Sequence, residues 1–171
     1  NLLEKCEIPL RMDPNTIIAD FEKSDEQTQR AFLNRVQLFF DICEETVHRN
    51  SNLVQDKMFI WYALKRLNVR PSSSLMDQID ATDCIEIYDR TGIQVFRNFE
   101  FCRVVSYTAD EIMFYTWDKL YLRDATSTKR IFDAVMKALD SASGPFDPQI
   151  PRHHCFEGKS ADQQVLDVQM K

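Results

Sequence analysis

Seven consecutive apolar residues, Met58-Phe59-Ile60-Trp61-Tyr62-Ala63-Leu64, constrain the fold of this 171-residue chain more than any other feature. They lie in the middle of a helical pattern over residues 52–67. A helix without a polar side has no face to give to water. It must lie deep in a core or be covered by another chain. Internal burial and self-association both meet that demand.

The residues before it read as two further helices. Asp13-Pro14 supplies an N-cap and a proline in the first turn, predicting a short helix to Lys23. Ser24-Asp25-Glu26-Gln27 reads as a capping box, with Ser24 and Gln27 exchanging hydrogen bonds. Behind it Phe32, Val36, Phe39, Cys43 and Val47 recur at steps of four and three, one face of a helix that ends near Arg49-Asn50. The stripe is broad, because Leu33, Phe40 and Ile42 flank it. Residues 25–67 are therefore expected to form a homodimer, with Phe32, Phe39, Phe59 and Trp61 at its interface and more than about 1,000 Å² buried. Pro71-Ser72-Ser73-Ser74 interrupts the pattern and marks the boundary between a helical segment, 1–75, and a second domain, 76–171.

The second part changes period. Cys84-Ile85-Glu86-Ile87-Tyr88 and Ile93-Gln94-Val95-Phe96 alternate around the turn Asp89-Arg90-Thr91-Gly92, which predicts a β-hairpin. A helix follows Asn98. Thr108-Ala109-Asp110-Glu111 is a capping box that opens another, running through Ile112, Met113 and Tyr115. Trp117 and Tyr121 are four apart and are expected on one helix face with Phe114. Asp124 or Thr126 caps a last helix with the stripe Ile131, Phe132, Val135, Met136 and Leu139. Residues 145–152 carry three prolines and read as loop. A second hairpin is expected over 155–170. The fold class is α+β: an N-terminal helical segment, then an antiparallel-sheet domain with helices on one face. In that arrangement the hairpin 84–96 pairs with residues around 155–170, and Ile131, Val135 and Leu139 cover the sheet.

Three local features of the second part resemble a PAS sensory domain. Asp89-Arg90-Thr91-Gly92-Ile93 looks like the turn between the first two PAS strands. Asn98 stands where PAS sequences often place the asparagine that leads into the first helix. Ser106-Tyr107-Thr108-Ala109-Asp110-Glu111-Ile112 looks like the GYS-x-EEL segment between the first two PAS helices, with Ser106 in place of the usual glycine. The resemblance covers residues 79–171. It departs from the family after the last helix, where PAS domains have three strands and this sequence has room for two. The resemblance implies a sensory or relay module that works with a protein output partner. It also implies a possible small-molecule ligand in a pocket lined by Phe101, Tyr107, Ile112 and Trp117. Ordinary packing accounts for the same aromatic residues.

Composition narrows the remaining chemistry. Three glycines are too few for a glycine-rich phosphate loop. The net charge is −6, with 10 basic and 11 acidic side chains in 1–75 and 11 basic and 16 acidic in 76–171, and this balance works against nucleic acid. No apolar run approaches the roughly 20 residues of a membrane span, and no signal peptide is expected. Five cysteines, without paired spacing, read as reduced cytoplasmic thiols, with Cys84 and Cys102 in the core. His153-His154-Cys155 is a weak metal candidate, because neighbours in a strand point to opposite faces. Glu44-Glu45 and Asp110-Glu111 are helix neighbours that do not face each other across a cleft. No metal, no catalytic constellation and no particular cofactor are expected. The sequence thus reads as a cytoplasmic sensory or regulatory module that dimerises and relays a signal. A helical adaptor for protein–protein interaction is the alternative.

Overall fold

The computed structural model describes residues 15–49, 56–71, 74–140, 150–158 and 165–170. The expected features at Asp13-Pro14, at Asn50, at Ser72-Ser73 and over 141–149 lie outside these. The class is α+β, with helices leading and small antiparallel sheets following. The chain divides into two compact units after Thr116, and the expected boundary at 75/76 lies inside the first.

The first unit opens with α1 (Asn15–Lys23) and α2 (Glu26–Arg49). The turn between them differs from the expected capping box. Asp25, not Ser24, caps α2, its Oδ1 accepting from the Thr28 amide at 2.8 Å. Ser24 instead closes α1, its hydroxyl donating to the Phe21 carbonyl at 2.7 Å. A carboxylate is the better partner for the positive end of a 24-residue helix, which is why the position next to serine takes the role.

Next come α3 (Asp56–Arg66) and one turn of helix, α4 (Leu75–Gln78). The end of α3 is a Schellman motif. The Val69 amide donates to the Leu64 carbonyl at 2.9 Å and the Asn68 amide to Lys65 at 3.1 Å. Asn68 takes the left-handed conformation, φ 58°, that the motif requires.

The expected hairpin forms from β1 (Glu86–Tyr88) and β2 (Gln94–Arg97), antiparallel and with a bulge between Ile87 and Tyr88. Gly92, at φ 76°, makes the turn possible. The simple inside–outside alternation does not hold: all of β2 is buried, while β1 is half-buried throughout. Beyond the hairpin lie α5 (Phe99–Val104) and α6 (Ala109–Phe114). Glu111 reaches back at the start of α6, accepting from the Thr108 amide at 2.8 Å and its hydroxyl at 3.0 Å. Thr108→Ala is expected to cost about 1 kcal/mol, measured by urea unfolding; an unchanged midpoint counts against the cap.

The core of this unit joins helices to hairpin, because α2 packs on α3, β2 and α6. The Phe59 ring stacks on Phe99 with centroids 4.4 Å apart and planes at 6°. Phe96 lies 4.8 Å from it and Phe39 6.0 Å. A second group links α1, α2 and α6: Phe32 meets Phe21 at 5.6 Å and Phe114 at 5.5 Å. The Tyr115 hydroxyl donates to Asp20 at 2.6 Å.

The second unit holds α7 (Trp117–Leu120), β3 (Tyr121–Leu122), α8 (Ala125–Asp140), β4 (His153–Glu157) and β5 (Val165–Val168). The three strands form one antiparallel sheet in the order β3-β4-β5. The expected pairing of hairpin 84–96 with residues around 155–170 is therefore corrected: among the described residues they belong to separate sheets, and β4 takes β3 as its neighbour. The two residues of β3 carry no alternation for a sequence reading to detect. The single helix face of Phe114, Trp117 and Tyr121 is corrected too, because Tyr115 is extended and ends α6, and Tyr121 is in a strand. Asp124 caps α8, accepting from the Thr126 and Ser127 amides at 2.9 Å. Of the α8 stripe, Ile131 is buried while Phe132, Val135 and Met136 are exposed, so Val135 is no sheet cover. The Leu139 side chain lies outside the described residues.

Candidate functional site

The helix that began as an undivided apolar run resolves into a buried body with one exposed residue. Phe59, Ile60, Tyr62, Ala63 and Leu64 are buried, whereas Trp61 is 41% exposed. Phe59 belongs to the aromatic core, so Trp61, two residues on and about 200° round the helix, points away from it. The Schellman turn brings Val69, Arg70 and Pro71 back beside Trp61 and Leu64. Together with Lys65 and Asn68 these residues line a cleft of about 310 Å³.

Of the four expected interface residues, Phe32, Phe39 and Phe59 are buried among aromatic residues of their own chain. Trp61 alone remains at the surface. On α2, Leu33 is 55% exposed.

A second cleft, of about 560 Å³, lies where the C-terminal turns of α2 and α3 meet, and Lys65 lines both. At its centre is Glu45. Its carboxylate accepts from Arg66 Nε at 3.0 Å, with Arg49 Nε at 3.5 Å and Lys65 Nζ at 3.7 Å. The three cations are about half-exposed, while Glu45 is largely covered. Glu44 pairs with His48 at 3.6 Å, and Asp41 accepts from the Gln37 amide group at 2.7 Å.

The expected ligand-pocket residues are divided between the units. Phe101, Tyr107 and Ile112 lie in the first, and Trp117 in the second. Ile112 and Tyr107 are buried; Phe101 is half-buried beneath the Arg97 guanidinium, 4.5 Å from its ring centre. Trp117 is half-buried too, with the Arg123 guanidinium 5.4 Å from its ring. Arg123 Nε donates to His153 Nε2 at 3.2 Å.

Sequence reading missed the polar chain that anchors Phe101. Arg97 is fully buried, its Nε donating to Gln94 Oε1 at 2.8 Å, and the Gln94 amide group donates in turn to Glu86 at 2.5 Å. The signal was present as polar residues in a strand otherwise made of Val95 and Phe96. Asn98 has a clear local role. Its Oδ1 accepts from the Phe101 and Ile85 amides at 3.2 and 2.9 Å, and its Nδ2 donates to the Asp83 carbonyl at 2.7 Å. It therefore caps α5 and ties it to the entrance of β1 with one side chain.

A second device fastens α2 to the hairpin. Arg35 donates from Nε and Nη2 to Asp89 Oδ2 at 2.9 and 2.7 Å. Asp89 Oδ1 also accepts from the Thr91 hydroxyl at 2.5 Å and the Thr91 and Ile93 amides at 2.8 and 3.2 Å. Burial pushes this carboxyl up, but the donors Thr91, Arg35 and Ile93 outweigh it and hold it below its usual 3.8. A carboxyl that is more acidic folded than unfolded stabilises the fold above the unfolded value. That stabilisation is lost as pH falls through the folded value. Acid titration of the melting temperature should therefore show a fall below about pH 3.8 that shrinks in Asp89→Asn. Equal acid sensitivity of the two proteins would remove Asp89 from the account.

No known protein family, curated protein or solved structure matches this chain.

The other chemical candidates change little. Cys84 is exposed as a residue rather than in the core, and Cys102 is half-buried. Partial desolvation, with the carboxylates of Glu100 and Glu86, pushes the Cys84 thiol up to about 11, away from the low value of an activated nucleophile. His153 is buried and His154 exposed, the opposite faces expected of strand neighbours. Among the described residues no group of three His, Cys, Asp or Glu side chains could hold a metal ion. No described helix is long and apolar enough to cross a membrane.

Proposed function

We propose that this chain is a cytoplasmic signal-transduction module, sensory or regulatory, that passes a signal to an output protein through the Trp61 face of α3. The observation that carries the reading is Trp61 itself, a large aromatic side chain exposed among the buried residues Phe59, Ile60, Tyr62, Ala63 and Leu64 and lining a cleft. Tryptophan is enriched at the centres of protein contacts. The hairpin β1–β2 followed by the short helices α5, α6 and α7 supports the sensory half of the reading, since a PAS-like domain opens with two strands and then short helices. The shared core and the Arg35–Asp89 clasp give a physical route, because movement of the hairpin would be felt by α2 and α3. The odd set of five cysteines without paired spacing supports a reducing compartment.

Homodimerisation through residues 25–67 is a second reading, favoured by the exposure of Leu33 as well as Trp61. Sedimentation at tens of micromolar and urea unfolding test both readings, with Trp61→Ser and Leu33→Ser beside the wild type. A dimer is expected to sediment above 20.1 kDa and to return to that mass in both variants. On the contact-surface reading each substitution leaves stability within about 0.5 kcal/mol. A loss of several kcal/mol in Trp61→Ser would make Trp61 a core residue and remove the surface from the proposal.

A further inference from the structure

We infer that the Trp61 cleft takes an acidic segment of a partner protein, a short stretch in which carboxylates flank one large apolar side chain. This deepens the reading above and rests on its view of Trp61 as a contact residue. Much of the cleft's lining is apolar: Trp61, Leu64, Val69 and Pro71. Among the described residues the charged ones that line it are Lys65 and Arg70, both cations, with Glu45, 3.7 Å from Lys65, in the second cleft. The positive sign of the lining runs against the chain as a whole, whose net charge is −6.

The two cations are available in different ways. Arg70 is exposed and makes no ion pair or hydrogen bond among the described residues. Lys65 shares Glu45 with Arg49 and Arg66, so one carboxylate faces three cations. Arg49 and Arg66 line the neighbouring cleft, where Asp41, Glu44 and Glu45 stand beside them, so Arg70 is the cation through which the Trp61 cleft meets an incoming carboxylate. Glu45 also fixes where Lys65 stands, which lowers the ordering cost on binding. About 310 Å³ lies at the small end for ligand clefts, roughly 300–1,000 Å³, and suits one or two side chains better than a cofactor. A concave site favours a protruding side chain over a membrane, which is met by the convex apolar face of an amphipathic helix.

The test uses the full chain and a fluorescein-labelled peptide of glutamates around a central phenylalanine. Two control peptides replace the glutamates by lysine or the phenylalanine by serine. Anisotropy should show saturable binding of the first peptide only. Binding should weaken about tenfold in Arg70→Glu, fall with added salt, and be lost in Trp61→Ser, with melting curves of both variants unchanged. Equal affinity of wild type and Arg70→Glu overturns the proposal. So does the absence of saturable binding, or capture of phosphatidylserine vesicles in place of the peptide. Association that needs Trp61 but ignores Arg70 and salt, such as self-association, overturns the acidic partner and leaves the contact surface standing. Indifference of every binding signal to Trp61 overturns both.

Discussion

Phe59→Ala is expected to destabilise the first unit by about 3–5 kcal/mol, the largest effect of any single truncation in α3. Phe59 is fully buried, and its ring touches Phe39 from α2, Phe96 from β2 and Phe99 from α5. Deleting it removes transfer free energy and leaves a cavity bordered by three other aromatic rings, which cannot all close over it. Urea unfolding followed by circular dichroism measures the loss. Trp61→Ala, two residues along, serves as the internal control, because an exposed side chain leaves no cavity. Equal losses in the two variants would mean that the division of α3 into a buried body and an exposed residue is wrong.

Arg97→Ala is expected to cost about 1–3 kcal/mol. Arg97 is 1% exposed, and the charge is held by Gln94 and by the face of Phe101. Removal strands the buried Gln94 side-chain carbonyl and opens space over the Phe101 ring. Arg97→Lys should recover little. An ammonium lacks the flat guanidinium that lies over Phe101 while its Nε reaches Gln94. Thermal melts of the two variants check this. Full recovery in Arg97→Lys would reduce the residue's role to its charge.

Local chemistry was legible in the sequence and distant pairing was not. The hairpin turn, the Thr108–Glu111 box and the Asp124 cap each depend on residues a few positions apart, and each stands as its spacing suggests. The Ser24 reading failed by one position because two capping residues stand side by side, and the choice between them depends on how α1 ends. The placement of the two sheets failed for another reason. Alternation says that a strand has a covered face, but not which strand lies beside it. β3, only two residues long, has no pattern at all. The site followed the same division. An apolar run says that burial is needed, yet its composition does not say that Trp61 is left outside. That depends on the direction in which Phe59 meets the core and on the Schellman turn after Arg66.

The bond from Tyr115 to Asp20 links positions 95 residues apart, and the Arg35–Asp89 clasp spans 54. At the usual synthesis rate of roughly 5–20 residues per second, about 5–20 s separate the two ends of the longer link on a ribosome. For much of that interval α2 exists without Phe96 and Phe114, the later rings that pack on Phe39 and Phe32. The early helices of the newborn chain therefore wait for their last partners. Shortening the chain before residue 109 would leave α2 with α3 and β2 to fold against but take away α6.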